Sequence, residues 1–331
     1  MEPPVDFTPS VYEHAASLIG KSPLEVSQNP GLLFEAHAEA YRLYRHSPVV
    51  IGIDIYNLEA EAYGAILSRP VGNGIPAVEK HPVESTCDIS LLPPLNPLTD
   101  GRLPMVIETG RRLSRIFPGA DVRIPVSGPF SLAANLTGFE RLLQDLLEDP
   151  FIVSEALFHL AKGQVAFCRE ITKNGLGISF FESGATPPLI SPEIFNQVEL
   201  PVLKSLINEV SVVAGKSVPC IIGGNTAPVI ESVVATGTGY VICPSETDQP
   251  LFMKTMEKFP DTMVRINMKP DGFSGNDAEF VFRELDRVLA LARGRKKSCL
   301  GTGVLPYETN PELIFRIKDY LKNIHHGRFG N

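Results

Sequence analysis

The feature that most constrains the fold is a repeated order of a short apolar segment, a polar loop and a helical segment. Seven apolar segments resemble strands, and they lie near residues 49, 122, 178, 218, 240, 263 and 298. An eighth segment, at 77–88, is less certain. Near-continuous apolar strands that alternate with helices are typical of parallel sheets buried on both faces. The pattern therefore predicts an α/β fold.

Two architectures fit such a pattern, a closed barrel and an open doubly wound sheet. An open sheet that binds a dinucleotide carries a glycine-rich turn after its first strand. Here the strand at 49–53 leads instead into Asp54-Ile55-Tyr56-Asn57. We therefore predict a (β/α)8 TIM barrel over residues 48–331.

The first 47 residues look helical. Ser22, Pro23 and Glu25 are typical of a helix N-terminus, and apolar side chains recur at helical spacing through 31–46. We expect residues 1–47 to form an added N-terminal helical segment packed on the barrel. We also expect the histidines of this segment to lie on helix surfaces; they are His14, His37 and His46.

The composition argues against several classes of partner and site. The formal net charge is -8, whereas nucleic acids and anionic membranes are bound by basic surfaces. No run of about 18 apolar residues is present, and the N-terminus lacks the regions of a signal peptide. The 5 cysteines include no CxxC pair, which favours free thiols. We expect a cytoplasmic protein that binds neither nucleic acid nor a membrane.

Polar and thiol side chains lie at or near the C-terminal ends of the predicted strands. In a barrel these ends meet at one face, which is where active sites lie. We predict Asp54 and Glu182 as catalytic residues at this face. The residues predicted to bind the substrate are Tyr56, Asn57, Asn225, Asn267 and Thr302.

Two kinds of site are possible at this face, a zinc site and an acid–base pair. Glu182, Cys220 and Cys243 could bind zinc, because carboxylates and thiolates are zinc ligands and a catalytic site keeps one position open. Alternatively, Asp54 and Glu182 form an acid–base pair, since burial raises the pKa of a carboxyl group. Each reading has a structural alternative, in which the cysteines are buried thiols and Asp54 caps the amides of its own turn.

Several stretches, in this order along the chain, resemble the uroporphyrinogen decarboxylase superfamily. They are 54–64, Gly128-Pro129-Phe130 through Gly138-Phe139-Glu140, 191–201, Gly224-Asn225-Thr226 and 300–306 with Pro311-Glu312. The resemblance covers nearly the whole chain from about residue 20. It implies a (β/α)8 barrel, in agreement with the strand pattern.

Two branches of that superfamily imply different reactions. The decarboxylases carry an arginine-rich N-terminal segment for a carboxylate-rich substrate, but residues 1–30 contain no arginine and Lys21 is their only base. The acidic run from Asp54 to Glu61 looks instead like the zinc-dependent, corrinoid-linked methyltransferases of the coenzyme M or O-demethylase type. That resemblance implies methyl transfer between a corrinoid protein and a small methylated substrate, such as an aryl methyl ether or another O- or N-methyl compound.

The resemblance also implies zinc ligand sets, from which this chain departs. Coenzyme M-type enzymes carry His-x-Cys before Gly-Asn-Thr and a further Cys in the last turn; here Cys220 stands near the histidine position and Thr302 at the final one. The Glu…Glu…His set of the O-demethylase type corresponds to Glu182, Glu199 and Cys220. Cys243 stands where the related cobalamin-independent methionine synthases place a ligand.

The resemblance therefore implies zinc, and a cobalamin carried by the partner corrinoid protein, as cofactors. Two alternatives to the methyltransferase remain. One is decarboxylation of a porphyrinogen, and the other is a non-catalytic barrel that binds a ligand or a corrinoid.

Overall fold

A computed structural model of the protein describes residues 6–325. Its strands, in chain order, are β1 (Phe7–Ser10), β2 (Val49–Val50), β3 (Ile66–Leu67), β4 (Val78–Lys80), β5 (Val122–Ser127), β6 (Gly177–Phe181), β7 (Cys220–Ile221), β8 (Tyr240–Cys243), β9 (Met263–Met268) and β10 (Ser298–Val304). Two four-stranded parallel sheets have the orders β1-β10-β9-β8 and β2-β5-β6-β7, and β3 and β4 form an antiparallel pair.

Helices connect most of the successive strands. They are α1 (Glu13–Ser17), α2 (Pro23–Ser27), α3 (Pro30–Tyr44), α4 (Leu58–Ala62), α5 (Leu103–Ile116), α6 (Pro129–Thr137), α7 (Phe139–Glu148), α8 (Pro150–Lys173), α9 (Pro192–Ile194), α10 (Leu200–Ala214), α11 (Ile230–Val234), α12 (Gln249–Met256), α13 (Asp271–Ser274), α14 (Ala278–Ala292) and α15 (Pro311–His325). A 3-10 helix spans Thr86–Leu91 and a π-helical turn spans Phe195–Glu199. Within residues 6–325, no helix combines the length and apolar character needed to cross a membrane.

The two parallel sheets face each other across a small group of apolar side chains. This inter-sheet cluster contains side chains from β2, β6, β7 and β8, together with two from loops; its buried members are Val50, Phe181, Ile221, Ile242, Tyr12 and Ile55. The larger core lies between the sheets and the helices, and it includes Cys220 and Cys243. Because side chains alternate along a strand, Ile221 and Ile242 point between the sheets while the neighbouring cysteines point towards the helices.

The predicted α/β fold with parallel strands is confirmed. Each of the seven clearly predicted strands is present, whereas 77–88 contains only the short antiparallel strand β4. The eighth parallel strand is β1, which pairs with β10. The ladders of the described residues form two sheets rather than one continuous ring.

The N-terminal segment is helical over α1, α2 and α3, but it also contributes β1 to a sheet. The prediction of a helical segment missed this strand, because Phe-Thr-Pro-Ser is four residues long and contains a proline. The surface placement of the three histidines was wrong. They are buried because α1 and α3 pack on the barrel-like core; the side chains are His14, His37 and His46. The division between residues 47 and 48 stays a prediction.

Candidate functional site

Asp54, predicted as a catalytic acid or base, lies in a buried ion pair after β2. Arg102, which precedes α5, donates from Nη1 to Oδ1 and from Nη2 to Oδ2, both at 2.7 Å. The same guanidinium pairs through Nε with Glu61 and donates to the carbonyl of Ser27. Such a two-pronged pair fixes both partners in orientation. The structure therefore places Asp54 as an anchor of the loop, and its pairing with Glu182 as acid and base is not formed.

Asn57 and Thr302, predicted to bind substrate, have structural partners. The Asn57 amide donates to Asp54 Oδ2 at 3.1 Å and to the carbonyl of Pro76 at 2.7 Å. Thr302 Oγ1 accepts from the backbone N–H of Ser10 at 3.1 Å and so joins β1 to β10. Both side chains are buried, and their hydrogen bonds hold the backbone rather than face an open site.

Glu182 follows β6 and accepts hydrogen bonds at the N-terminus of α6. Its Oε2 accepts from the N–H of Phe130 at 3.0 Å, and its Oε1 accepts from the N–H of Ser131 at 2.9 Å and from the Ser131 hydroxyl. A carboxylate is favourable there because the free N–H groups and the helix dipole carry positive charge. Gly128 makes the approach possible, since a Cβ at this position would lie 2.0 Å from Glu182 Oε2.

Glu199 lies beside Glu182 and forms a buried carboxyl pair with it. Both side chains are fully buried, and neither oxygen of Glu199 has a conventional hydrogen-bond partner among the described residues. Burial raises the pKa of both carboxyl groups, and the charge of Glu182 raises the pKa of Glu199 further. Two buried carboxyl groups in contact share a proton or a cation, because two adjacent negative charges are too costly in a low dielectric. Glu182 accepts three hydrogen bonds that stabilise its charged form, whereas Glu199 accepts none from the described residues, so the proton favours Glu199.

The position of Glu199 depends on an irregular helix. The chain runs as a π-helical turn over Phe195–Glu199 before α10 begins. Pro201 has no N–H to donate, so the regular hydrogen-bond ladder is interrupted at this point. Single π-helical turns of this kind are frequent at functional sites.

Cys220 on β7 completes a group that we call the carboxyl–thiol cluster, defined as Glu182, Glu199 and Cys220. Burial raises the pKa of the Cys220 thiol, and the carboxyl groups of Glu182 and Glu199 raise it further. The thiol is therefore protonated in the absence of a bound cation. Glu182 follows β6, Cys220 lies on β7, and Glu199 lies on the π-helical turn between them. A group of three buried, titratable side chains with raised pKa values is characteristic of a reactive site.

Cys243, the third predicted zinc ligand, does not join this cluster. Burial raises its pKa, and the groups that act on it are Arg287, Gln249 and Asp248 on the helical side of β8. Within residues 6–325, no three His, Cys, Asp or Glu side chains stand ready as a metal site. The predicted zinc set of Glu182, Cys220 and Cys243 is therefore not assembled. The carboxyl–thiol cluster has the donor types that zinc takes, and the unpartnered oxygens of Glu199 fit a cation.

A polar network lies next to the cluster and connects the loops after β2, β6 and β7. The hydroxyls of Tyr56 and Ser183 are 2.6 Å apart, and Ser183 Oγ accepts from the N–H of Gly223 at 3.0 Å. Tyr56 also contacts Phe181 edge to face, at 6.1 Å between ring centroids. Burial raises the pKa of Tyr56, and Glu182 and Cys220 add to the effect. Tyr56 is thus a neutral hydrogen-bonding group beside the cluster.

Asn225 and Asn267, predicted to contact the substrate, differ in their surroundings. Asn225 Oδ1 accepts from Thr247 Oγ1 at 3.0 Å, and this bond holds the loop after β7. Asn267 on β9 is buried, and its Oδ1 has no hydrogen-bond partner among the described residues. The Oδ1 of Asn267 is therefore free to accept a hydrogen bond from a ligand, whereas the Oδ1 of Asn225 already stabilises the loop after β7.

The sequence-based prediction missed three buried charged residues. Glu59 accepts from the N–H of Ser127 at 2.7 Å, and burial raises its pKa to about 7. Arg102 neutralises Asp54 from a position 48 residues along the chain. Arg265 lies on β9 with a buried Nε that has no partner in the described part of the chain. The signal for Arg265 was present in the sequence, because a charged residue inside an apolar strand is rarely buried unless it has a partner.

Comparisons with known proteins agree with this architecture. No curated protein matches the sequence. A methyltransferase from Methanosarcina mazei superposes with a TM-score of 0.83 at 17% identity, covering 98% of this chain and 94% of that chain. A B12-independent methionine synthase from Shewanella sp. W3-18-1 has a TM-score of 0.58 at 11% identity, with 99% of each chain covered. At such identities the similarity is one of fold.

The family assignment comes from the sequence. The family model described as uroporphyrinogen decarboxylase (URO-D) matches residues 2–323, which is nearly the whole chain. The same stretch contains the motifs that position the site, including Gly128-Pro129-Phe130 against Glu182. The chain belongs to the uroporphyrinogen decarboxylase family.

Proposed function

We propose that this protein is a methyltransferase that moves a methyl group between a small methylated substrate and the corrinoid of a partner protein. The observation that carries the proposal is the carboxyl–thiol cluster at the ends of β6 and β7. A buried carboxyl pair that retains a proton near neutral pH is suited to general acid catalysis. Family membership and the fold shared with a methyltransferase support the same reading.

Removing a methyl group from oxygen or nitrogen leaves the bonding electron pair on the heteroatom. The heteroatom then needs a proton or a Lewis acid to become a good leaving group. Glu199 holds the proton in this proposal, while Glu182 is fixed by its hydrogen bonds to α6 and its charge raises the pKa of Glu199. When Glu182, Glu199 and Cys220 are deprotonated and hold zinc in place of that proton, the ion would supply the Lewis acid instead.

The substrate would bind beside the cluster, between the two sheets. We propose that the sheets are the two halves of one barrel, a reading that the inter-sheet cluster supports. Tyr56 and Ser183 would donate hydrogen bonds to the substrate heteroatom or fix its orientation. The apolar side chains of Phe181 and Ile221 would exclude water from the methyl group.

The reaction is tested by incubating the purified protein with cob(I)alamin and a panel of O-methyl and N-methyl compounds. Formation of methylcobalamin, followed by its absorbance spectrum, is the expected result for at least one donor. A parallel incubation with uroporphyrinogen tests decarboxylation. Coproporphyrinogen formed without any methylcobalamin would overturn the proposal and favour the decarboxylase.

The metal assignment is tested by the zinc content of two cysteine variants. Cys220→Ser should lose most of its bound zinc, whereas Cys243→Ser should retain it, because Cys243 lies among Arg287, Gln249 and Asp248. Both thiols are fully buried, so the two substitutions are matched in their effect on packing. Wild-type protein that transfers methyl groups without zinc and is insensitive to chelators would refute the zinc assignment.

A further inference from the structure

Arg265 is a buried arginine that has no ion pair among the described residues. It lies on β9 beside Ile242 of β8 and Cys299 of β10 in the strand register, and its side chain is only 7% exposed. Its guanidinium forms no salt bridge within residues 6–325, and its Nε is buried without a hydrogen-bond partner there. Arginine stays protonated at every physiological pH, so a buried positive charge is left uncompensated.

The side chain of Arg265 points between the two sheets. Its register neighbour Ile242 belongs to the inter-sheet cluster. The guanidinium also acts electrostatically on the phenols of Tyr12 and Tyr240, which belong to or pack against the same cluster. Arg265 therefore occupies the interior and not the helix-covered face of the sheet.

Gly301 on β10 makes the room that Arg265 fills. A Cβ at this position would lie 2.6 Å from Cδ and 2.9 Å from Cγ of Arg265, and 2.9 Å from Oδ1 of Asn267. Only glycine therefore allows the two polar side chains of β9 to pass β10. Asn267 is itself buried with an unpartnered Oδ1, so two neighbouring polar groups lack partners in the same space.

We propose that Arg265 binds the carboxylate of the substrate, so that the protein acts on small methylated carboxylic acids with an apolar or aromatic body. The planar guanidinium matches a carboxylate in a two-pronged geometry. Asn267 and the neutral phenols of Tyr12 and Tyr240 add hydrogen-bonding groups around it. The apolar side chains of Phe181 and Ile221 provide the surface for the body of the ligand. The identity of the methyl donor rests on the proposed function, whereas carboxylate binding does not.

Equilibrium binding of matched ligands tests the proposal. 4-Methoxybenzoate and its neutral amide, 4-methoxybenzamide, differ in charge and hardly in shape, and inorganic phosphate serves as a third probe. Isothermal titration of wild-type protein should show the acid binding about 10- to 100-fold more tightly than the amide, the range expected for a buried charged pair. Arg265→Gln should abolish this preference and leave amide binding nearly unchanged.

Arg287→Gln is the matched control, because Arg287 is half-buried but already paired with Glu284 on α14. It should keep the preference for the acid. The thermal midpoint of Arg265→Gln should equal or exceed that of the wild type, since an unpaired buried charge is removed; this verifies that the variant folds. Equal binding of acid and amide by the wild type would overturn the proposal, and so would an unchanged preference in Arg265→Gln or phosphate binding in place of the acid.

The outcomes separate this inference from the proposed function. Tight binding of the acid without methyl transfer to cob(I)alamin would leave the carboxylate site standing and refute the methyltransferase. Demethylation of neutral ethers with no binding of the acid would support the methyltransferase and refute the carboxylate site.

Discussion

At the scale of single residues, the ion pair of Asp54 and Arg102 organises the loop after β2. Arg102→Met would leave Asp54 buried without its cationic partner, and removing one partner of a buried pair costs about 3–5 kcal/mol. We expect the free energy of unfolding in urea to fall by about that amount. The double variant Asp54→Asn with Arg102→Met should recover a large part, because the fully buried carboxylate is removed together with its partner, while the partly exposed Glu61 is the same in both variants. A loss below about 1 kcal/mol in the single variant would contradict the structural role assigned to Asp54.

Individual site residues were predictable where the signal is local. Glu182 and Cys220 stand at strand ends that the apolar pattern reveals, and Gly128-Pro129-Phe130 identifies the turn that receives Glu182. The role of Asp54 was not predictable, because its partner lies 48 residues away. Cys243 shows a second limit of prediction from the sequence. Its strand was predicted correctly and its side chain points to the same face as that of Cys220, but the apolar pattern does not reveal that its neighbours there are Arg287, Gln249 and Asp248 and not the carboxyl pair.

At the scale of elements, the central strands were easier to predict than β1, the short N-terminal strand that completes one of the sheets. The apolar runs of β5, β6, β8 and β9 carry their own signal, since strands buried on both faces are nearly continuous in hydrophobicity. The strand β1 has no such signal and is held by its pairing with β10, including the bond from Ser10 to Thr302. Long-range pairing of this kind cannot be seen in a four-residue segment.

The helix α3 joins the N-terminal segment to the sheet through a histidine that must stay neutral. His37 Nε2 accepts from the N–H of Gly52 at 3.0 Å, and burial lowers the pKa of His37 from 6.5 to about 4. Between these values the unfolded chain binds more protons than the folded protein, so stability falls as the pH falls through this window. His46 lies beside it, and burial lowers its pKa to about 3.

His37→Gln is designed to test this pH dependence, because glutamine retains an acceptor for Gly52 but does not titrate. The wild type should lose about 2 kcal/mol of stability relative to the variant between pH 7.5 and pH 5, as expected for a difference of this size in pKa. Urea unfolding at four pH values across that range measures it. Buried carboxyl groups such as Glu59 titrate in the opposite sense, but they are common to both proteins and cancel in the difference. Parallel stability curves would show that the pKa of His37 is the same in the folded and unfolded states, and would contradict this prediction.

At the scale of the whole molecule, the groups proposed for chemistry and for substrate binding lie on two different sheets. The carboxyl–thiol cluster lies at the ends of β6 and β7 in one sheet, and Arg265 lies on β9 in the other. The inter-sheet cluster separates them with apolar side chains. If both proposals hold, the substrate would extend from its carboxylate at Arg265 past this cluster, with its methyl group towards Glu199.

The most direct test of the account is the initial rate of methylcobalamin formation from the best methyl donor, measured for the wild type, Glu199→Gln and Glu193→Gln. Glu199 is buried in the carboxyl pair, whereas Glu193 is a nearby glutamate on α9 that is not fully buried. The account predicts a rate about 100-fold or more lower for Glu199→Gln, the size expected on loss of a general acid, and a change within about twofold for Glu193→Gln. A folded Glu199→Gln variant that transfers the methyl group at the wild-type rate would contradict it.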